Sequence, residues 1–199
     1  MAIRPTDALL LLLLAGTASA CAGDAAPRSA VLPPDAVIGV GDPARAAIIG
    51  SAYAFALPAH TAGRPDAAAR AAAQVEFLAT ELRFGPRMVE YVPTVGLEMQ
   101  AARDELRAFL GIAPDAPPQA VVDALYAAAR ALQAGDEAAA ERALTRIPLA
   151  DSRQALVRLA ALPPLPRTRT ATALAQQEMN RVDQDSRFGG SGANDGGKV

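Results

Sequence analysis

The sequence predicts an all-α protein, a compact bundle or orthogonal array of about six to seven short helices. Its residues are 51% hydrophobic but only 4% aromatic, and the apolar share is carried largely by alanine and leucine, which favour helix. Apolar residues recur at alternating spacings of three and four between Pro, Gly and Asp punctuation. No segment alternates with period two between hairpin turns, so we expect almost no sheet.

Residues 1–20 read as an export signal rather than as part of the fold. A short head bearing Arg4 precedes an apolar run over 8–15, followed by small residues. A helix needs about 20 apolar residues to span a bilayer, so this run is too short to stay as a membrane anchor. We therefore predict a signal peptide that is removed.

The only cysteine, Cys21, directly follows Ala18-Ser19-Ala20. Ordinary signal cleavage after these small residues would leave Cys21 as an unmodified thiol without an assigned role. Alternatively, "ASAC" resembles the lipobox of bacterial lipoprotein precursors, and this second interpretation is favoured. The resemblance implies cleavage between Ala20 and Cys21, a diacylglyceryl thioether at the thiol, and acylation of the new amino group, which palmitate would supply.

The lipobox resemblance also implies a location. Ala22 follows the cysteine, and in Gram-negative lipoproteins a residue other than Asp at this position permits sorting to the outer membrane. Several acyl chains anchor a protein stably where one chain is marginal. We expect a protein held by lipid in the bacterial cell envelope, at the outer membrane and facing the periplasm.

Composition divides the mature chain into three parts. Residues 21–41 contain the predicted lipid attachment site and a proline-containing stretch without helical period, which favours a flexible tether. Residues 42–184 form the predicted helical domain. Residues 185–199 are glycine-rich and polar, which predicts a disordered tail.

The first predicted helix begins at Asp42-Pro43, where Asp is a favourable N-cap and Pro suits the first helical position. It continues until Pro58 and is almost uncharged after Arg45. We expect it to be buried on most of its circumference, with Gly50 allowing a close neighbour.

Two longer helices follow, from near Pro65 to Gly85 and from Thr94 to Leu110. Each has one apolar stripe. The stripe residues are Ala68, Ala71, Val75, Leu78 and Leu82 in one, and Val95, Met99, Ala102, Leu106 and Phe109 in the other.

Four further helices are predicted over 117–134, 136–147, 151–162 and 169–182, the last with a thin apolar stripe. The pair around Gly135 resembles a single tetratricopeptide hairpin, with Ala140 and Leu144 at matching positions. Stable arrays of that family need about three repeats, so a generic helical hairpin is the favoured interpretation.

One polar and aromatic cluster is a candidate binding site. The stretch "ELRFGPRMVEY" contains Glu81, Arg83, Arg87, Glu90 and Tyr91 around a predicted helix end. These groups could line an anion or peptide site. The favoured interpretation is solvated capping and pairing, because charges at a helix terminus commonly serve that role.

The motifs of common enzymes are missing or lack their context. The single histidine, His60, excludes H-E-x-x-H, the single lysine, Lys198, excludes a P-loop, and no G-x-S-x-G occurs. "GVGDPA" over 39–44 matches G-x-G-x-x-A, but no βαβ unit surrounds it, so we interpret it as a turn into a capped helix. We expect no catalytic group, no cofactor and no metal site.

The charge is balanced, with a net charge of −2, and has no basic stripe of the kind that nucleic acid requires. The expected partners are the membrane, through the lipid at Cys21, and an envelope protein. We therefore expect a non-enzymatic adaptor or scaffold. The alternative is a small-molecule or lipid-binding module with an apolar pocket between helices, whose ligand would be lost on substitution of Phe55 or Phe109. An enzyme ranks third.

The anchor is tested by metabolic labelling with a palmitate analogue. The wild type should take up label and Cys21→Ala should not, because the variant lacks the thiol that is acylated. Equal labelling of the two would contradict the lipobox interpretation.

Overall fold

A computed structural model describes residues 29–36 and 41–189. Over this part of the chain the protein is all-α, as predicted, with no strand. Its seven helices are α1 Pro43–Ala56, α2 Pro65–Phe84, α3 Pro93–Leu110, α4 Pro118–Gln133, α5 Glu137–Leu144, α6 Ser152–Ala160 and α7 Pro166–Gly189. Short 3-10 turns occupy Pro34–Ala36, Pro58–His60 and Pro86–Val89. The signal peptide, its cleavage site and Cys21 lie outside the described residues.

Aspartates begin three of the helices. A carboxylate oxygen of Asp42 accepts from the backbone N–H of Ala44 at 3.0 Å, which confirms the predicted start of α1; Gly39, part of the predicted turn, lies outside the described residues. Asp136 and Asp151 cap α5 and α6 in the same way. Each cap satisfies a backbone donor that the first turn leaves without a partner.

Four helices form a closed ring in which α1 packs on α2, α2 on α3, α3 on α7, and α7 returns to α1. The helices alternate in direction around this ring. The first turn of α1 meets the C-terminal half of α7 through Arg45 and Asp183, and the C-terminal half of α3 meets the start of α7 through Glu105 and Thr168.

Helix α2 is the centre of the molecule. Besides α1 and α3 it contacts α4, which packs on its remaining side, and α6. Thirteen of its twenty residues are buried. Every predicted stripe residue of α2 and α3 is buried except Phe109, which is half-buried. The two predicted apolar stripes are therefore confirmed.

Close helix approach replaces large side chains in this alanine-rich core. A Cβ on Gly96 of α3 would lie 2.6 Å from the backbone oxygen of Leu82, and one on Gly50 of α1 would lie 2.7 Å from the side chain of Gln74. At Gly96 only glycine allows the two backbones to come so near, whereas at Gly50 the neighbour is the end of the flexible Gln74 side chain. Many small contacts then supply the dispersion energy that a few large side chains supply elsewhere.

A buried ion pair joins the middle of α2 to the last turn of α3. The carboxylate of Glu76 accepts from Nε and Nη2 of Arg107 at 3.0 and 2.5 Å, and the two side chains are 3% and 4% exposed. The remaining guanidinium hydrogens bind the carbonyls of Ala113, Pro114 and Ala116 at 3.3, 2.7 and 2.9 Å. All five donors of the arginine are therefore used. Burial raises the pKa of Glu76, and the guanidinium opposes that shift.

Part of the predicted tether is packed against the domain. Within 21–41, residues 29–36 lie along α2 and α4, with Ala30 and Leu32 buried. The N–H of Ala30 donates to Thr80 Oγ1 at 3.1 Å. Ala30 and Leu32 alternate along an extended segment, and both side chains fill the core beside α2. The sequence did not predict this packing, because a search for helical periodicity does not detect an alternating pair.

Polar contacts hold the same segment on α4. The Gln119 amide accepts from the N–H of Val31 at 2.7 Å and donates to its carbonyl at 3.0 Å. Further along, Asp35 pairs with Arg130 at 2.9 Å. The prediction of a tether over 21–41 is therefore wrong for residues 29–36, which pack on the domain.

Helix α7 is longer than predicted, and the expected domain boundary at 184 lies inside it. The sequence placed it over 169–182, whereas it begins at Pro166 and ends at Gly189. Ion pairs explain the extension, because Arg181 reaches Asp185 one turn on and Asp183 is held by Arg45. Such pairs support a helix whose apolar stripe is thin. The rest of the predicted tail lies outside the described residues.

None of the helices within 29–36 and 41–189 combines the length and apolarity needed to cross a bilayer.

Replacing Arg107 by Met should lower the free energy of unfolding by about 3–5 kcal/mol, since it leaves the Glu76 carboxylate buried without a counter-charge. Urea unfolding followed by circular dichroism measures the change. Arg153→Met is the matched control, because Arg153 is 80% exposed in its pair with Glu141 and should cost under about 1 kcal/mol. Equal midpoints for the two variants would contradict the central role of the buried pair.

Candidate functional site

The predicted cluster occupies the C-terminal end of α2 and the connector that follows it. Glu81 lines a cavity of about 290 Å³ beside the packed 29–36 segment. The Arg83 guanidinium lies 5.6 Å from the ring centre of Phe84. Tyr91 is buried in the core and Glu90 is exposed. The structure describes the backbone but not the side chain of Arg87. These surroundings differ from one member to the next, and no single cleft described here collects them.

Ion pairs from α7 hold this end of the molecule together. The Arg45 guanidinium binds Asp183 through two contacts of 2.6 and 2.8 Å. The Glu178 carboxylate accepts from the backbone N–H of Val92 at 3.0 Å and from Arg181 at 2.7 and 2.9 Å. Hydrogen bonds from their arginines lower the pKa of both carboxyl groups. The connector containing Tyr91 is therefore clamped.

A different surface has the character of a binding site. Ile49, Tyr53 and Leu57, at spacings of four on and just beyond α1, are 48%, 61% and 57% exposed. We call these three residues the α1 stripe. Ile49 and Tyr53 share one face of α1, and Leu57 follows at the extended residue that ends the helix, so the stripe presents three exposed apolar and aromatic side chains over the second half of α1. Helix α1 was expected to be buried on most of its circumference, and this face is the exception.

An apolar pocket of about 100 Å³ lies beside the end of the stripe. Phe55 and Leu57 form one wall, and the proline-rich connector of residues 162–166 forms the other, with Arg169 at its side. Small-molecule sites usually enclose about 300–1,000 Å³. This pocket, called the Phe55 pocket below, has room for a side chain rather than for a lipid.

A polar pocket of about 230 Å³ lies on the other side of Tyr53, and we call it the His60 pocket. Its lining includes Tyr53, His60, Arg64, Asp66, Arg70 and Gln74. The rings of Tyr53 and His60 stack at 4.1 Å with an interplanar angle of 7°. His60 Nδ1 lies 2.5 Å from the carbonyl of Tyr53. Since a carbonyl only accepts, this nitrogen bears the hydrogen.

The His60 pocket has a positive bias. Neither Arg64 nor Arg70 forms an ion pair with any described residue, and Arg70 has only a 3.4 Å contact with Gln133. Two arginines outnumber the one acid, Asp66. The pocket is therefore suited to a carboxylate, which accepts well from guanidinium groups.

Gln74 lies at the inner side of this pocket, near a buried hydroxyl. Tyr126 is 3% exposed, and among the described residues its hydroxyl has no partner at hydrogen-bond geometry. Burial raises the pKa of Tyr126, while the nearby Gln74 amide opposes the shift. The Tyr126 hydroxyl therefore carries an unmet donor among the described residues.

The described surface has no arrangement typical of acid–base catalysis. Nδ1 of His60 is engaged by a backbone carbonyl and not by a carboxylate. Over 29–36 and 41–189 there is also no group of three or more His, Cys, Asp or Glu side chains placed to hold a metal ion. The chemistry available at the α1 stripe is contact with apolar, aromatic and anionic groups.

Sequence reasoning did not identify the α1 stripe. Its spacing of four was visible in the chain, but nearly every position of α1 is apolar, so no face could be singled out as exposed. Only the placement of α2 and α7 against the other faces decides it. His60 was interpreted as an incidental loop histidine, and its stacking on Tyr53 could not be inferred from seven residues of separation.

No family model, curated protein or solved structure matches this chain.

The α7 clamp predicts a pH dependence. The folded pKa of Glu178 lies below its ordinary value, so its contribution is complete above the unfolded pKa of about 4.3 and is lost as the pH falls through the folded pKa. At pH 7, Glu178→Gln should lower stability by about 1–2 kcal/mol, and the difference should shrink below about pH 4.

Thermal or urea unfolding of both proteins between pH 7 and pH 3 measures this effect. Asp185→Asn is the control, because Asp185 binds the same Arg181 but its side chain is 66% exposed. A gap between wild type and Glu178→Gln that stays constant with pH would contradict the prediction.

Proposed function

We propose that this chain is a lipid-anchored protein of the bacterial envelope that acts as a non-enzymatic helical adaptor, binding a partner protein through the α1 stripe. Three features support the proposal: the lipobox-like sequence before Cys21, the helical domain, and the exposed α1 stripe with its two flanking pockets. The lipid fixes the domain at a membrane, and the α1 stripe supplies a contact surface.

The anchor part of the proposal depends on the sequence. Cys21 follows small residues at the end of a short apolar run, and this arrangement resembles a lipoprotein precursor. Diacylglyceryl attachment with a further N-acyl chain would hold the protein stably at the membrane. The location that follows is the outer membrane, with the domain in the periplasm.

The partner-binding part depends on a single observation, the exposure of Ile49, Tyr53 and Leu57 in the α1 stripe. Tyrosine is enriched among the residues that dominate protein interfaces, because its ring buries a large area at low entropic cost. The flanking pockets would receive an apolar side chain beside Phe55 and an acidic one beside Arg64. A helix or extended segment with those two groups is the expected ligand.

The alternative function is binding of a small apolar molecule between helices. The position of the Phe55 pocket between helical segments favours small-molecule binding. Its size argues against such binding, since about 100 Å³ is below the volume that most ligands need. Mass spectrometry of the purified protein before and after Phe55→Ala distinguishes the cases. Loss of a copurifying small molecule in the variant would favour this alternative over the adaptor.

The adaptor role is tested by placing a photo-crosslinking phenylalanine analogue at position 53 in the membrane-anchored protein. Position 157 is the matched control, because Val157 is also exposed and lies on α6. A protein captured from 53 and not from 157 is then purified, and its affinity for the wild type and variants is measured directly.

Leu57→Asp and Tyr53→Ala should each weaken that affinity at least about tenfold, as expected for central interface residues. Val157→Asp should leave it unchanged. Both test residues are exposed, so the variants should retain the wild-type unfolding midpoint. Equal affinity of all four proteins would refute the α1 stripe as the binding surface.

A further inference from the structure

The chain enters the fold at one particular end of the helical ring. Asp35 pairs with Arg130, near the C-terminal end of α4. Earlier in the chain, Val31 binds Gln119, in the first turn of α4. Ala30 then binds Thr80, in the C-terminal half of α2. The described chain therefore begins, at Ser29, on the side of the domain where α2 finishes and α3 begins. We call this the exit end.

Exposed apolar side chains concentrate at the exit end. Nine large hydrophobic residues of the described ranges are exposed, and five of them are at this end. They are Val31, Phe84, Val89, Val92 and Leu97. We call these five residues the exit-end patch.

The backbone explains why these five residues share one end. Phe84 lies one turn beyond Thr80, the residue that receives the entering chain. Val89 and Val92 belong to the connector between α2 and α3, and the backbone of Val92 is fixed by Glu178. Leu97 is in the first turns of α3, next to Gly96, which touches the backbone of Leu82. Val89 is the most exposed, at 84%.

The length of chain before Ser29 limits what this end can reach. Cys21 precedes Ser29 by eight residues. Eight residues span at most about 27 Å when fully extended and about 16 Å on average for a flexible chain. If Cys21 bears lipid, as proposed above, the exit end is held within that distance of the bilayer.

We propose that the exit-end patch rests on the membrane that holds the lipid of Cys21, with its apolar side chains entering the headgroup region. This inference depends on the proposed lipid attachment and adds a second, direct contact with the same bilayer. Apolar side chains beside a lipid anchor add to membrane affinity through the area they bury.

The charges at this end indicate which kind of contact it is. The described arginines of this end, Arg45, Arg83, Arg181 and Arg187, are outnumbered by its acids, which are Asp42, Glu81, Glu90, Glu178, Asp183 and Asp185. The described charges therefore give no net attraction to anionic lipid. The contact is apolar, so it should form on zwitterionic vesicles and change little with salt.

The orientation that results places the partner surface away from the bilayer. Sixteen residues of sequence separate Thr80 from Arg64, which is about 24 Å along the α2 axis. The His60 pocket and Leu57 lie at that far end. With the exit-end patch on the membrane, both would face the periplasm.

The absence of tryptophan from the chain allows a site-specific test. Val89→Trp and Val157→Trp each introduce a single fluorophore at an exposed valine, one in the patch and one on α6. The full-length lipidated proteins are reconstituted in phosphatidylcholine vesicles, with or without brominated phosphatidylcholine. Bromine quenches only a tryptophan that enters the lipid.

Fluorescence at position 89 should fall at least twofold in brominated vesicles and shift to shorter wavelength, while position 157 stays unchanged. Flotation with the vesicles and the acyl mass of Cys21 are measured on the same samples. Absent acyl mass would overturn the anchor and this inference together. Acylated, floating protein with equal signals at the two positions would overturn only the contact of the patch.

Discussion

The ion pair between Glu76 and Arg107 is the contact on which the arrangement of the other helices depends. It joins the central helix to α3 and, through three backbone carbonyls, fixes the connector that leads into α4. Taking two charges out of water is costly, and the cost is offset only where every donor and acceptor is used. The guanidinium of Arg107 meets that condition. Because its five donors have five defined targets, the pair also specifies one direction for the chain leaving α3.

Around this ion pair, the core is stabilised by close approach of the helices more than by large side chains. Helix α2 is rich in alanine, and glycines at 50 and 96 let α1 and α3 approach it until backbone and side-chain atoms touch. A core of this kind is sensitive to added volume, because there is no flexible side chain to move aside at Gly96, where the neighbour is a backbone oxygen.

Helix positions could be predicted from the sequence because their signals are local. Asp42 and Asp136 lie next to the backbone groups they cap, and the stripes of α2 and α3 repeat within the helix that carries them. The packed segment of residues 29–36 could not be predicted in this way, since Ala30 is buried by Thr80, fifty positions away. The extension of α7 likewise depends on Arg45, which binds Asp183 from 138 positions earlier in the chain. The candidate surface has the same limitation: Tyr53 is exposed because of where α2 and α7 lie, and not because of its neighbours in sequence.

The attachment of residues 29–36 also bears on how the protein responds to force. Its hydrogen bonds run in order from Ala30 towards Asp35, so a pull on the chain before Ser29 would load them one after another rather than all together. Each bond is weak on its own. Release of this segment would add about 27 Å of extended chain, and the Glu76–Arg107 pair is not among the contacts that hold the segment. If Cys21 is lipidated, as proposed above, the segment would act as a reserve of length between the membrane and the helices.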